Sequence, residues 1–173
     1  AVLTLDPNIK IIAPVREWDM DREDEIRYAK KNHIPVPVTL KSPYSVDDNM
    51  WGMTWEGGEI EDPKLIPPLE KIQKASRLIE KTPNKPEYIK LTFKRGLPVT
   101  LNGRIMSLAK IIMKLNFIAG KHGVGVVYHL EDRLVGLKNR GVYEHPAGHV
   151  IIEAHRNLEK YVCTRLENEV KAM

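Results

Sequence analysis

Between Ser107 and Gly120 the apolar residues Leu108, Ile111, Ile112, Leu115, Ile118 and Ala119 recur at i, i+3, i+4, i+7, i+10 and i+11. Only an α-helix gathers that spacing into one stripe, and a stripe of that width must be covered by another element. Ser107 can cap the helix, and Gly120 is placed to stop it. A second run starts at Pro146, a residue suited to the first position of a helix. Ala147, Val150, Ile151, Ala154, Leu158, Tyr161, Val162 and Leu166 carry its stripe for about five turns. Two amphipathic helices therefore frame residues 107–166 and exclude an all-β chain.

Elsewhere the period shortens to two. "EYIKLTFKRGLPVTLNG" sets Tyr88, Lys90, Thr92 and Lys94 against Ile89, Leu91 and Phe93, which predicts a half-buried hairpin. "WGMTWEGGEIED", from Trp51, alternates as well, with Gly57-Gly58 as its expected turn. "GVGVVYHLEDRLVGL" reads as strand, turn, strand, and Leu69–Glu80 as a helix with sparse apolar positions. Short antiparallel hairpins packed on helices make an α+β fold.

The first residues follow another order. "KIIA", Lys10–Ala13, has the look of a short buried strand stopped by Pro14. "DREDEIRYAKKNH" is acidic in its first turn and basic in its last, as the helix dipole favours. "IPVPV" then permits only an extended segment or linker. Strand, helix and extended segment over Lys10–Val38 look like the last βα unit of an α/β domain.

The totals set bounds on function. A chain of 173 residues with 42% hydrophobic and 29% charged residues has enough apolar material for an ordinary core. The lone Cys163 excludes an internal disulfide and fits a reducing compartment. With no apolar run near the roughly 18 residues of a spanning helix, the expectation is a cytoplasmic protein with no membrane partner. Net charge is +4, and between Lys64 and Arg95 nine basic residues stand against three acidic ones. A solvated face is the favoured reading of that block. Nucleic acid is not favoured, because aromatics make up only 6% and little is available for stacking.

Short motifs add little. "GKHGVG" follows a helix and precedes a strand, the reverse of a phosphate cradle, and reads as a helix stop and turn. His145 and His149 stand four apart near Glu144 and Glu153, but a third ligand at firm spacing is missing, so no metal is expected. Cys163 falls in a helix stripe and reads as packing.

Two longer stretches carry more chemistry. "SPYSVDDNMWGMTWEGG" offers the hydroxyls of Ser42, Ser45 and Thr54 with Asp47, Asp48 and Asn49, which suits either a zwitterionic ligand or an Asx turn before a hairpin. In "LEDRLVGLKNRGVYEHPAG", Glu131 can take an ammonium group and Tyr143 can donate a phenolic hydrogen bond. Lys138 and Arg140, two apart, would form a cationic face. A charged β-turn explains the same residues equally well.

Taken whole, "AGKHGVGVVYHLEDRLVGLKNRGVYEHPAG" closely resembles the signature region of the argininosuccinate synthase family. "IPVPVTLKSPYSVDDNMWGMTWEGGEIEDP" resembles the segment after that family's nucleotide domain, and "IKIIAPVREW" agrees upstream. The resemblance is weakest from about Lys64 to Arg104. It implies a ligase that condenses citrulline with aspartate, using ATP with Mg²⁺ through a citrullyl-adenylate and releasing AMP and pyrophosphate. It also implies a homo-oligomer, a tetramer in the family. Ser45, Thr54, Glu131 and Tyr143 match the family's citrulline contacts, Thr54 standing where a second serine is common. No residue is assigned to catalysis.

The sequence also departs from the pattern. Asn139 replaces the usual serine of "KSR", Val126 a common arginine, and His145 the small residue before Pro146. The family's S-G-G-x-D-[ST]-S loop for ATP does not occur, nor does its aspartate-binding segment, and its C-terminal extension stops here at Met173. The resemblance thus implies residues 1–38 as the C-terminal remnant and linker of the ATP-binding α/β domain. Residues 39–173 are then a synthetase (catalytic and multimerisation) domain truncated at its C-terminus. Such a chain is expected to be inactive alone while supplying citrulline-binding residues. The alternative is a non-catalytic binding or assembly module that kept the fold without the ATP domain.

Overall fold

A computed structural model describes residues 2–36, 43–134 and 136–173. By its internal contacts the chain divides into two units, Ala1–Pro43 and Tyr44–Met173.

Among its described residues the first unit holds three helices, α1 (Val2–Leu5), α2 (Pro14–Trp18) and α3 (Arg22–Lys31). The α3 helix begins where the charge pattern places it. Asp21 accepts from the Asp24 amide, Asp24 returns the bond, and Lys30 and Lys31 close the last turn. The expected strand at Lys10–Ala13 is not one. These residues have no regular structure, and Ile11 and Ile12 are exposed. A strand needs a neighbour to satisfy its backbone, and among the described residues none pairs with this run. Ile34–Val36 are also irregular, and the rest of "IPVPV", with the expected boundary at 38/39, lies outside the described residues.

The second unit is built from two antiparallel sheets and the two amphipathic helices. The larger sheet has the order β1 (Ser45–Asp48), β2 (Met53–Glu56), β7 (Lys138–Glu144), β6 (Val126–Asp132). The smaller contains β3 (Leu91–Lys94), β4 (Leu97–Leu101) and β5 (Arg104–Ile105). Its two turns, Arg95-Gly96 and Asn102-Gly103, have positive φ at both central residues, the twist that tight hairpins require. Leu91 and Phe93 turn inward while Thr92 and Lys94 face out, as the alternation predicts.

The helices are α4 (Leu69–Ile72), α5 (Leu108–Lys121), α6 (Pro146–Val162) and α7 (Arg165–Ala172). Ile111, Ile112 and Leu115 of α5 join Ala147 and Ile151 of α6 and Leu101 of β4 in one core. Three expectations change here. Gly120 lies inside α5, where a Cβ would stand 2.2 Å from the Ala75 carbonyl oxygen, so it is a packing position. The stop is Gly123 (φ +68°): its N–H and that of Val124 bond the Gly120 and Ala119 carbonyls, closing a Schellman motif. Leu69–Glu80 is helical only over Leu69–Ile72, with a 3₁₀ turn at Ile79–Lys81. The last stripe breaks at Cys163 because Thr164 caps a new helix with Glu167 in a capping box.

The Trp51 hairpin is also rearranged. β2 pairs with β1 upstream, and Gly57 and Gly58, both at positive φ, lead into a 3₁₀ turn at Gly58–Ile60. The reversal comes at Asn49, whose Oδ1 accepts from the Trp51 and Gly52 amides at 2.8 and 3.3 Å. This is an Asx turn before a hairpin.

Candidate functional site

Side chains alternate between faces along a strand, and directly opposed residues share a face. The larger sheet therefore has two unlike sides. On one, Trp55 and Val142 pack with Ile60 and Ile72 into a second core. Glu144 belongs to this dry side and is completely buried. Its Oε1 accepts from Trp55 Nε1 and the Lys74 amide, both at 2.9 Å, and its Oε2 from the Ser76 amide at 2.7 Å. The Lys74 ammonium sits 4.9 Å from the Trp55 ring centre. One carboxylate thus ties the loop after α4 to two strands.

The other side carries all four candidate residues. Ser45 opposes Glu56 across β1 and β2, Thr54 opposes Tyr143 across β2 and β7, and Tyr143 opposes Val127 on β6. Glu131 lies four residues beyond Val127 and points to the same side. The Tyr143 hydroxyl donates to Glu131 Oε1 at 2.5 Å, and Arg133 Nε donates to Oε2 at 2.8 Å. Thr54, Tyr143 and Glu131 form one group; Ser45 stands on the exposed edge strand beyond Glu56.

Gly141 makes this reach possible. It lies between Tyr143 and the Glu131 end of the strand, and a Cβ there would stand 2.9 Å from the Tyr143 ring. The ring lies across the glycine and spans the distance to Glu131. A lone glycine inside a strand pattern is the sequence signal for such a close approach. Glu144 gave no comparable signal, since only the fold reveals its burial.

The electrostatics follow from this contact. Burial, then the bond to Glu131, pushes the Tyr143 phenol up to about 12. The same bond, with that from Arg133, holds Glu131 below the usual carboxylate range. Glu131 is thus a fixed, ionised acceptor, and Tyr143 keeps its proton.

Beside the pair is a cleft of about 350 Å³ lined by Asn49, Trp51, Thr54, Val127, His129, Tyr143 and His145. The His129 ring meets Tyr143 edge-on, with centres 6.2 Å apart. Asn116 of α5 supports the rim: its amide donates to the Met50 carbonyl at 2.8 Å, and its Oδ1 accepts from the Ala147 N–H at 2.9 Å.

Lys138 and Arg140 do share a face, but it is not the side of Tyr143, and they present no free cationic surface. Lys138 pairs with Asp132. Arg140 donates to the Ile60, Asp62 and Glu59 carbonyls at 2.5, 2.6 and 3.3 Å and so holds the Gly58–Ile60 turn. Glu144 is likewise committed to Trp55 and two amides, apart from the His145–His149 pair, whose ring centres are 6.2 Å apart. Among the described residues, no group of three or more His, Cys, Asp or Glu side chains is placed to hold a metal ion.

Comparison with known proteins decides the family. The profile of the Arginosuccinate synthase C-terminal domain matches residues 44–173, and that of the Arginosuccinate synthase N-terminal HUP domain matches residues 1–35. The chain belongs to the argininosuccinate synthase family. It is 52% identical over 159 residues to the argininosuccinate synthase of a Geobacillus species, an alignment covering 92% of this chain and 39% of the relative. That of Anoxybacillus flavithermus is 50% identical over 159 residues with the same coverage, and that of Bacillus mycoides 50% identical over 173 residues, 100% of this chain and 43% of the relative. The chain spans about two-fifths of the length of these curated relatives. The sheet bearing Ser45, Thr54, Glu131 and Tyr143 falls wholly within the C-terminal match to the argininosuccinate synthase family. No helix among the described residues is long and apolar enough to cross a membrane.

Proposed function

We propose that this chain supplies the citrulline side of an argininosuccinate synthase active site. The observation that carries the reading is the Thr54–Tyr143–Glu131 group on the open face of the larger sheet, with Ser45 at its edge. An amino acid presents an ammonium and a carboxylate. Glu131, ionised and fixed from two sides, suits the first, with the Tyr143 oxygen, whose proton goes to Glu131, as a second acceptor, and the hydroxyls of Ser45 and Thr54 suit the second. Gripping citrulline at that end leaves its ureido group to be presented to the reaction partner, and positioning of this kind supplies much of the rate in such condensations.

ATP is assigned in this reading mainly to the nucleotide-binding domain of the whole enzyme. The S-G-G-x-D-[ST]-S loop is not among this chain's residues, so no step is assigned to the nucleotide or its Mg²⁺ here. Aspartate, the homo-oligomeric assembly and a cytoplasmic location belong to the same proposal for the whole enzyme. Support for them comes from the family membership. The coding sequence upstream of Ala1 tests the proposal. A glycine–serine loop about one nucleotide domain earlier is the expected finding, and a start codon at or next to Ala1 would contradict it. With citrulline, aspartate and ATP supplied, the isolated chain is expected to form no AMP.

A further inference from the structure

The citrulline reading uses only the larger sheet; the smaller one bears a cleft of its own. We propose that this cleft, between β4–β5 and α5, binds an organic anion with an apolar body, a carboxylate at the end of a short hydrocarbon chain. Its volume is about 300 Å³, and it is lined by Leu101, Asn102, Arg104, Met106, Lys114 and Ile118. None of these residues belongs to the citrulline group, so the inference stands or falls independently of that reading.

Strand register places the first cation. Arg104 opposes Leu101 across β4 and β5, and directly opposed residues share a face. Leu101 is buried in the core that α5 and α6 complete, so Arg104 is set on the apolar side of the sheet, at its β5 edge. Lys114 comes from the other wall. It stands one turn before Ile118 on α5, and both residues line the cleft. Two like charges brought to one cleft over an apolar floor repel, and an anion bound between them removes that cost.

Nothing in this layer neutralises the two cations. No Asp or Glu occurs between Glu87 and Glu131, the stretch that forms the whole smaller sheet and α5. Glu87 itself is taken by Lys121 at 2.9 Å and lies 3.3 Å from His122. Among the described residues neither Arg104 nor Lys114 is in an ion pair. Asn102 adds a donor: its Oδ1 accepts from the Lys90 amide at 2.8 Å, which leaves its side-chain N–H groups to a ligand. Leu101, Met106 and Ile118 supply the apolar floor, and a carboxylate on a hydrocarbon stem matches both parts of the lining. Inorganic phosphate matches only the cations. An inward charge can also guard an exposed sheet edge, but that role asks for no second cation on α5.

The test is a titration of the ¹⁵N-labelled chain with hexanoate, followed at the Asn102, Met106 and Ile118 amides. Hexylammonium and inorganic phosphate are the controls, the first keeping the apolar stem and the second the negative charge. Saturable shifts with hexanoate, weaker binding of both controls and an unmoved Gly141 amide on the larger sheet are the expected result. Arg104→Gln and Lys114→Gln, both at exposed positions, should each weaken hexanoate roughly fivefold, the scale of one solvent-exposed ion pair. Arg104→Lys should keep most of the affinity that Arg104→Gln loses. The inference is overturned if hexanoate does not saturate, if either control binds as tightly, or if the glutamine variants match the parent. A shift at Gly141 in place of Asn102 would move the site to the larger sheet and overturn it as well.

Discussion

Tyr143 and Glu144 are neighbours in sequence and point to opposite faces of one sheet, and each face has a glutamate at the centre of its hydrogen bonds. Glu144 is fully buried with three donors from a tryptophan and two amides; Glu131 lies on the open side with one phenol and one guanidinium. The same side chain does two kinds of work. Buried, the carboxylate must be satisfied from within the fold, and its partners become part of the fold's stability. On the open face its partners orient it while a side remains available to a ligand. The difference lies in desolvation.

The contrast breaks most visibly at Glu144. Glu144→Ala leaves three donors unpaired and should cost about 3 kcal/mol or more, read from the urea midpoint. A variant within experimental error of the parent would mean the buried network carries no weight. Trp55→Phe removes one donor and keeps most of the apolar surface, so the expected cost is about 1–2 kcal/mol.

The open face should respond to pH. Because the folded phenol of Tyr143 is raised from the ordinary 10 to about 12, the unfolded chain loses its proton first as pH rises. The contribution of Tyr143 to stability is therefore complete below pH 10 and lost by about 12. Tyr143→Phe should flatten that part of the stability–pH curve, and an unchanged slope would show that Tyr143 does not set it. The smallest effect on stability is expected for Glu131→Gln, which should leave the urea midpoint in place and weaken citrulline binding at least tenfold, the scale of one lost charge-assisted hydrogen bond. A large drop in stability would make Glu131 a second Glu144.

Much of this was legible in the residues. The stripe of α5, the Pro146 start of α6, the capped α3 helix and the Leu91/Phe93 alternation all follow from local periodicity and end signals, and the α+β class follows from them. What failed depended on distant partners. Lys10–Ala13 had the composition of a strand but pairs with none among the described residues, and β2 took β1 as its mate instead of turning at Gly57-Gly58. At the site, the family resemblance singled out Ser45, Thr54, Glu131 and Tyr143 as candidates, but their common face depends on strand register. Glu144, His129 and the service of Gly141 to the Tyr143 ring were hidden for the same reason, since each role is set by a residue on another strand. Arg140 illustrates the opposite error: a cation in a polar stretch looked available, and the fold had already given it three carbonyls.

The most direct test of the two-faced sheet is a citrulline titration of the ¹⁵N-labelled chain, taken to high millimolar concentration and followed at two reporters. The Gly141 amide sits under the Tyr143 ring on the open face, and the Trp55 indole N–H is bonded to Glu144 on the dry one. The account predicts a saturable shift at Gly141 that Glu131→Gln abolishes, with the Trp55 signal unmoved. A shift at Trp55, or none at Gly141 at any concentration, would contradict it.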